Sequence, residues 1–167
     1  MPEEKTKERA RRDAAQGKSP TTQAGEFVRE EIHHVREGKH GARSSKQAIA
    51  IGLSKARRAG VDLAAPRKGK TSTRTRRSAQ RAYARGHGAS AARPPSRKRS
   101  RATSAALRRE RHSSASTGAL SQQAKRAAGR RGKMARSAAA RKAAQTKGPA
   151  RRSAAAKRAA RTRAKHA

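Results

Sequence analysis

From residue 66 to residue 167 the chain offers only four large apolar side chains, Tyr83, Leu107, Leu120 and Met134. The same stretch carries 32 Lys and Arg against a single acid, Glu110, a net charge of +31. A segment of this kind cannot bury enough surface to offset the entropy of ordering it, and its charges repel one another. The expectation is a long, basic, low-complexity tail with extensive disorder. Residues 1–65 are different: 14 basic and 9 acidic side chains give a net of +5, and ten large apolar residues fall here, counting Met1. The predicted fold class is mainly α, a small helical hairpin head joined to that tail.

Four segments follow: a charged N-terminal segment (1–17), a hairpin head (18–65), a flexible basic linker (66–100) and an Ala/Arg/Lys-rich repeat tail (101–167). In the first, residues 2–16 have no apolar stripe and predict a frayed helix ending at Gly17. The head opens with Ser19 and Pro20, a favourable pair at a helix start. Ala24, Phe27, Val28, Ile32 and Val35 then recur at helical spacing as far as Gly38. After the loop KHGAR, Ser44 and Gln47 stand in capping-box spacing, and a second helix runs to Gly60. On it Ala48, Gly52 and Ala56 form a ridge of small residues beside Ile49 and Leu53. Glycine costs about 1 kcal/mol relative to alanine inside a helix, so Gly52 predicts a close backbone approach. The packing set expected for the head is Phe27, Val28, Ile32, Val35, Ile49, Gly52 and Leu53. Ile51 lies outside the arc that meets one partner helix, which makes pairing with a second copy of the head, a homodimer, an open expectation.

Residues 26–61, EFVREEIHHVREGKHGARSSKQAIAIGLSKARRAGV, resemble a family of small basic bacterial proteins that share a core of the form HGxRSxKQAIAIGLSxARxAG. The function of that family is unknown, and the labels its relatives carry, DNA-binding or plasmid stabilization protein, are what the resemblance implies about function. The tail is similar in composition to the Ala/Lys/Arg-rich tails of histone H1-like bacterial proteins.

The tail holds a degenerate repeat. RSAAARKAAQTK (136–147) aligns with RSAAAKRAARTR (152–163), with eight identities and three Lys/Arg exchanges. SQQAKRAAGRR (121–131) is a weaker copy. Gly132 and Gly148-Pro149 separate the units. Alanine favours helix while like charges oppose it, so the expectation is disorder in the free chain and helical turns against a polyanion.

Most other chemistry is excluded. There is no cysteine, hence no disulfide and no thiolate site. No apolar run approaches a membrane span, and the N-terminus has no apolar signal region. Gly69-Lys70-Thr71 matches the end of a phosphate-binding loop, but Ala64 stands where the motif needs glycine. Glu30, His34 and Glu37 share one helix face; on an exposed face such groups are solvated or ion-paired, and His33 and His40 add no better case. The sequence therefore predicts no metal, no cofactor, no catalytic residue, no small-molecule substrate and no enzyme.

A net charge of +36 is several-fold beyond what solubility needs, and polyanions are the partners it calls for. The expected partner is DNA, with RNA left open, and the expected location is cytoplasmic and nucleoid-associated. With Phe27 and Tyr83 the sole aromatic residues, base-stacking platforms are absent, and contact falls to backbone phosphates. Arg outnumbers Lys 31 to 15 and suits phosphate geometry. The candidate nucleic-acid-binding residues are Arg43, Lys46, Arg57 and Arg58 in the head and Arg97, Lys98 and Arg99 beyond the linker. In the repeats they are Lys125, Arg126, Arg141, Lys142, Lys157, Arg158, Arg161 and Lys165. The functional expectation is a non-enzymatic, largely sequence-independent architectural protein. Its alternatives are an RNA- or ribosome-associated protein, or a partner-docking regulator that the tail merely tethers to nucleic acid.

Overall fold

The structure, a computed structural model, describes residues 2–88 and 96–164. Among these residues it contains α-helices and one 3-10 turn, and no strand. The chain divides into two compact units, Met1–Gln123 and Ala124–Ala167.

In the first unit, α1 (Glu4–Ala15), α2 (Pro20–Arg36) and α3 (Ser45–Arg58) end alike. At Gly17, Gly38 and Gly60 the backbone turns to positive φ, and the amide of the next residue bonds back to the carbonyl five residues earlier, as Lys39 N does to His34 O at 3.0 Å. The start of α3 is capped by Ser44 Oγ, which accepts from Gln47 N at 3.3 Å, while Gln47 Oε1 accepts from Arg43 N at 2.9 Å. The α2–α3 pair packs with almost no room between backbones. A Cβ on Gly52 would lie 2.7 Å from Val28 Cα and 3.0 Å from Phe27 O.

Two small apolar cores form along this pair. One joins Ala10, Ala24, Phe27, Ala56 and Val61, with Leu53 and Leu63 packed against it. The other, at the loop end, joins Val35, Ala42, Ala48 and Ala115, with Ile32 alongside. Of the expected packing set, Phe27, Val35 and Gly52 are buried, and Val28, Ile32, Ile49 and Leu53 are half-buried.

The hairpin does not stand alone. Residues 2–16 are not a frayed helix: α1 packs on α2, burying Thr6 and Ala10, and Arg9 Nε meets Glu26 Oε2 at 2.6 Å. Small side chains replace the missing apolar stripe, because they let the helices approach closely. Nor are residues 66–100 linker throughout. They contain α4 (Thr73–Gly86), capped by Ser72 Oγ on Thr75 N and packed on α3 through Ala79 and Ala82; residues 89–95 of that span lie outside the described residues. Gly86 lies so close to the Arg57 carbonyl oxygen that a Cβ there would overlap it.

The disorder expected of the tail is also corrected. Helices α5 (Arg97–Arg108), α6 (Thr117–Gly129) and α7 (Lys133–Ala164) occupy it, with a 3-10 turn at Ser113–Ala115. Alanine supplies 13 of the 32 residues of α7, and its propensity outweighs the repulsion between exposed cations. Threonine hydroxyls are satisfied on the helices themselves, Thr146 Oγ1 donating to Lys142 O and Thr162 Oγ1 to Arg158 O. The repeat is written into this arrangement: the weak copy falls largely on α6 and the two strong copies on the two halves of α7. Those halves are separated at Gly148, whose φ of 65° and ψ of 169° no other residue type adopts readily.

Candidate functional site

Two features of the first unit bear on function, a set of cationic surfaces and a buried carboxylate–imidazole cluster. The cationic groove is bounded by the start of α3 and by α4. It encloses about 900 Å³, and Arg43, Lys46 and Arg74 line it above the apolar Ile49 and Leu53. Arg43 and Lys46 are exposed. Arg58 is on another face, beside Lys7, Arg11 and Lys55, and its guanidinium donates to Ser54 Oγ at 2.8 Å.

Arg57 departs from the expectation of an exposed cation on α3. It is 7 % exposed and turned inward. Nε donates to Leu63 O at 3.0 Å, Nη2 to Ala64 O at 3.3 Å and Nη1 to Leu53 O at 3.5 Å, so the guanidinium ties the segment after α3 to the helix. Burial lowers its pKa from the ordinary guanidinium value. The five donors of arginine explain the placement, since its planar fork reaches one carbonyl of α3 and two in the segment that follows.

Arg97, Lys98 and Arg99 form the exposed first turn of α5. Lys125 and Arg126 on α6, and Arg141, Lys142, Lys157, Arg158 and Arg161 on α7, are exposed as well. Lys165 lies outside the described residues.

The second feature was not legible from helix-face counting. Glu30 is buried on α2 together with its neighbour Glu31, which is 0 % exposed. Lys55 reaches across from α3, its Nζ 2.7 Å from Glu31 Oε2 and 3.5 Å from Glu30 Oε1. His40, in the loop, brings Nε2 to 3.2 Å from Glu31 Oε1. His34 Nε2 stands 4.0 Å from Glu30 Oε1 and 3.0 Å from Glu3 Oε1. That contact with His34 is the main reason the Glu3 carboxyl is held below the usual carboxylate range. Despite this crowding, Glu30 Oε1 and both oxygens of Glu31 accept no aligned hydrogen bond. Glu37 is not part of the group; it pairs with Lys39 at 3.1 Å on the surface and raises that lysine's pKa. The sequence signal was the run Glu30-Glu31 followed by His34 and His40, which becomes one site only when the loop folds back.

A third relationship seals the loop end. Gly41 N donates to Leu107 O at 2.8 Å, Ala42 N to Arg111 O at 3.2 Å and Arg36 Nε to Ala115 O at 2.8 Å. The segment 107–115 is thus part of the first unit's packing rather than free tail.

Residues 14–69 match the model of a family of unknown function (DUF6496). The matched stretch covers α2, the loop and α3, and so includes Glu30, Glu31, His34, His40 and Lys55, but it stops short of α4 and of the segment 107–115. It brings no activity, ligand or partner with it. No curated protein and no solved structure matches the chain. Among the described residues, no helix is long and apolar enough to cross a membrane.

Proposed function

We propose that this chain is a non-enzymatic nucleic-acid-binding protein of the architectural kind, acting by neutralising and bridging backbone phosphates. What supports the reading is where uncompensated charge resides. In residues 1–65 the acids Glu3, Glu4, Asp13, Glu26, Glu30, Glu31 and Glu37 are ion-paired with bases of the same unit. Residues 124–167, by contrast, hold 16 Lys and Arg and no acid. Every Lys and Arg among residues 124–164 is exposed. Rods of exposed cations on an alanine scaffold present charge without an apolar face, which suits phosphates and not a lipid surface. DNA duplexes are the proposed partner, because the chain lacks the aromatic residues that single strands and RNA loops need.

The experiment is a salt titration of binding to two unrelated DNA duplexes. If about ten basic groups neutralise phosphates at once, log affinity falls against log salt with a slope near −9, roughly five orders of magnitude between 50 and 200 mM. Replacing Arg141, Lys142, Lys157, Arg158 and Arg161 by glutamine flattens the slope and weakens both duplexes alike. A shallow wild-type slope overturns the proposal, and so does a preference for one duplex that survives the substitutions.

A further inference from the structure

We propose that Glu31, His34 and His40 bind a divalent transition-metal ion of the zinc type, through one carboxylate oxygen and two imidazole nitrogens. One ligand atom from each residue lies within 4.8 Å of the others. Tetrahedral zinc with bonds of about 2.0–2.1 Å spaces its ligands by roughly 3.3 Å, so modest side-chain movements close the set. One edge is already at that spacing. His40 Nε2 and Glu31 Oε1 are 3.2 Å apart, yet the contact is not aligned as a hydrogen bond. Two ligands of one metal stand in that relation, since each lone pair points at the ion and not at the other ligand.

The burial of Glu31 demands a partner. An ionised carboxylate out of water needs charge and aligned donors, and neither of its oxygens has an aligned one. Lys55 compensates one charge from the Oε2 side and leaves Oε1 facing the imidazole. Counting the buried Glu30 and Glu31 against Lys55, the pocket keeps one excess negative charge, which a bound cation offsets.

The His40 imidazole is set up to donate its lone pair, and His34 joins it by giving up the 3.0 Å contact of its Nε2 with Glu3 Oε1. His40 Nδ1 is 3.0 Å from Gly41 O; assigned as the donor there, it leaves Nε2 with its lone pair free. The two rings meet edge to face with centroids 6.3 Å apart, so both nitrogens can converge on one point without stacking. Two imidazoles and a carboxylate favour zinc and its neighbours over calcium or magnesium, which prefer oxygen alone. Glu30 Oε1, buried and without an aligned partner, lies 4.0 Å from His34 Nε2. Bound there, the ion would pin the loop to α2 at the place where residues 107–115 dock. The inference does not rest on the nucleic-acid reading.

The test uses the full chain, freed of metal with a chelator. Zinc is titrated against a chromogenic competitor, and cobalt(II) serves as a spectroscopic stand-in. The expected result is saturation at one equivalent, a strong tetrahedral cobalt absorption and a raised melting temperature. Outer-shell changes at zinc sites cost roughly 10- to 100-fold in affinity, so His40→Gln and Glu31→Gln, which remove ligands, should weaken binding by at least about 100-fold. His33→Gln, on the exposed face of α2, leaves it unchanged. Circular dichroism of each metal-free variant checks that it is folded; should Glu31→Gln not fold, His40→Gln and the wild-type cobalt spectrum decide. Absence of saturable binding by the wild type overturns the proposal, as does a cobalt spectrum of octahedral strength or unchanged affinity in His40→Gln.

Discussion

Ser45 Oγ donates to Ser114 O at 2.6 Å, joining two buried residues that are 69 positions apart. Through this bond the first turn of α3 holds the 3-10 turn that covers the loop-end core. Ser45→Ala leaves the Ser114 carbonyl buried without that donor, at a cost of about 1–3 kcal/mol in chemical denaturation. Trypsin should then cut faster at Arg108, Arg109 and Arg111, and an unchanged cleavage rate would count against the docked segment.

The closeness of α2 and α3 predicts opposite outcomes at two helical glycines. Gly25 has nothing within 4 Å of an added Cβ, so Gly25→Ala should stabilise by roughly 0.5–1 kcal/mol. At Gly52 the same methyl group meets the backbone of Val28 and Phe27. There Gly52→Ala should destabilise by about 1–3 kcal/mol, because overpacking exceeds the gain in propensity. Thermal unfolding of the two variants reads the sign directly.

Arg57 separates structural from surface cations. Arg57→Lys keeps the charge but loses the fork that spans Leu53, Leu63 and Ala64, at a cost of roughly 1–3 kcal/mol in stability. The slope of nucleic-acid affinity against salt should be unchanged in this variant, since the guanidinium faces inward. A flattened slope would place Arg57 on phosphate instead.

Tyr83 OH donates to Asp62 Oδ1 at 2.6 Å, and this hydrogen bond raises the phenol's pKa above its ordinary 10. Because the folded value is raised, the stabilisation is complete below the unfolded pKa and is lost as pH rises through the folded one. Tyr83 is the chain's single tyrosine, so an ultraviolet titration reads it alone. Its midpoint should lie above 10 in the wild type and fall in Asp62→Asn.

What could be read from the sequence was whatever large side chains and caps announce. Phe27 and Val35 mark the buried face of α2, Ser44 and Gln47 mark the start of α3, and glycines mark the stops. Packing made from small residues was harder to see. Ala79, Ala82, Tyr83 and Gly86 recur at helical spacing, but with one large side chain among them they read as linker until the narrow gap to α3 gives alanine and glycine contacts their value. The helices of the tail escape the sequence for another reason: burial is not the condition for their order, since alanine needs no partner to favour a helix. The Glu31–His40 relationship depends on a loop folding back, and the placement of Arg57 on where the segment after α3 puts the Leu63 and Ala64 carbonyls. Neither has a periodicity to betray it.

The docking of Ala115 beside Val35 also sets an order of events at the ribosome. Helices α1 to α3 can collapse around Phe27 once Val61 and Leu63 have emerged, but the loop-end core lacks its last member until some fifty further residues have been made. At about 5–20 residues per second that interval lasts several seconds, long compared with helix formation or collapse. During it the nascent chain presents an open apolar notch beside a lengthening cationic thread. Whatever meets the chain in that interval meets a half-closed head, whose two cores close in two steps.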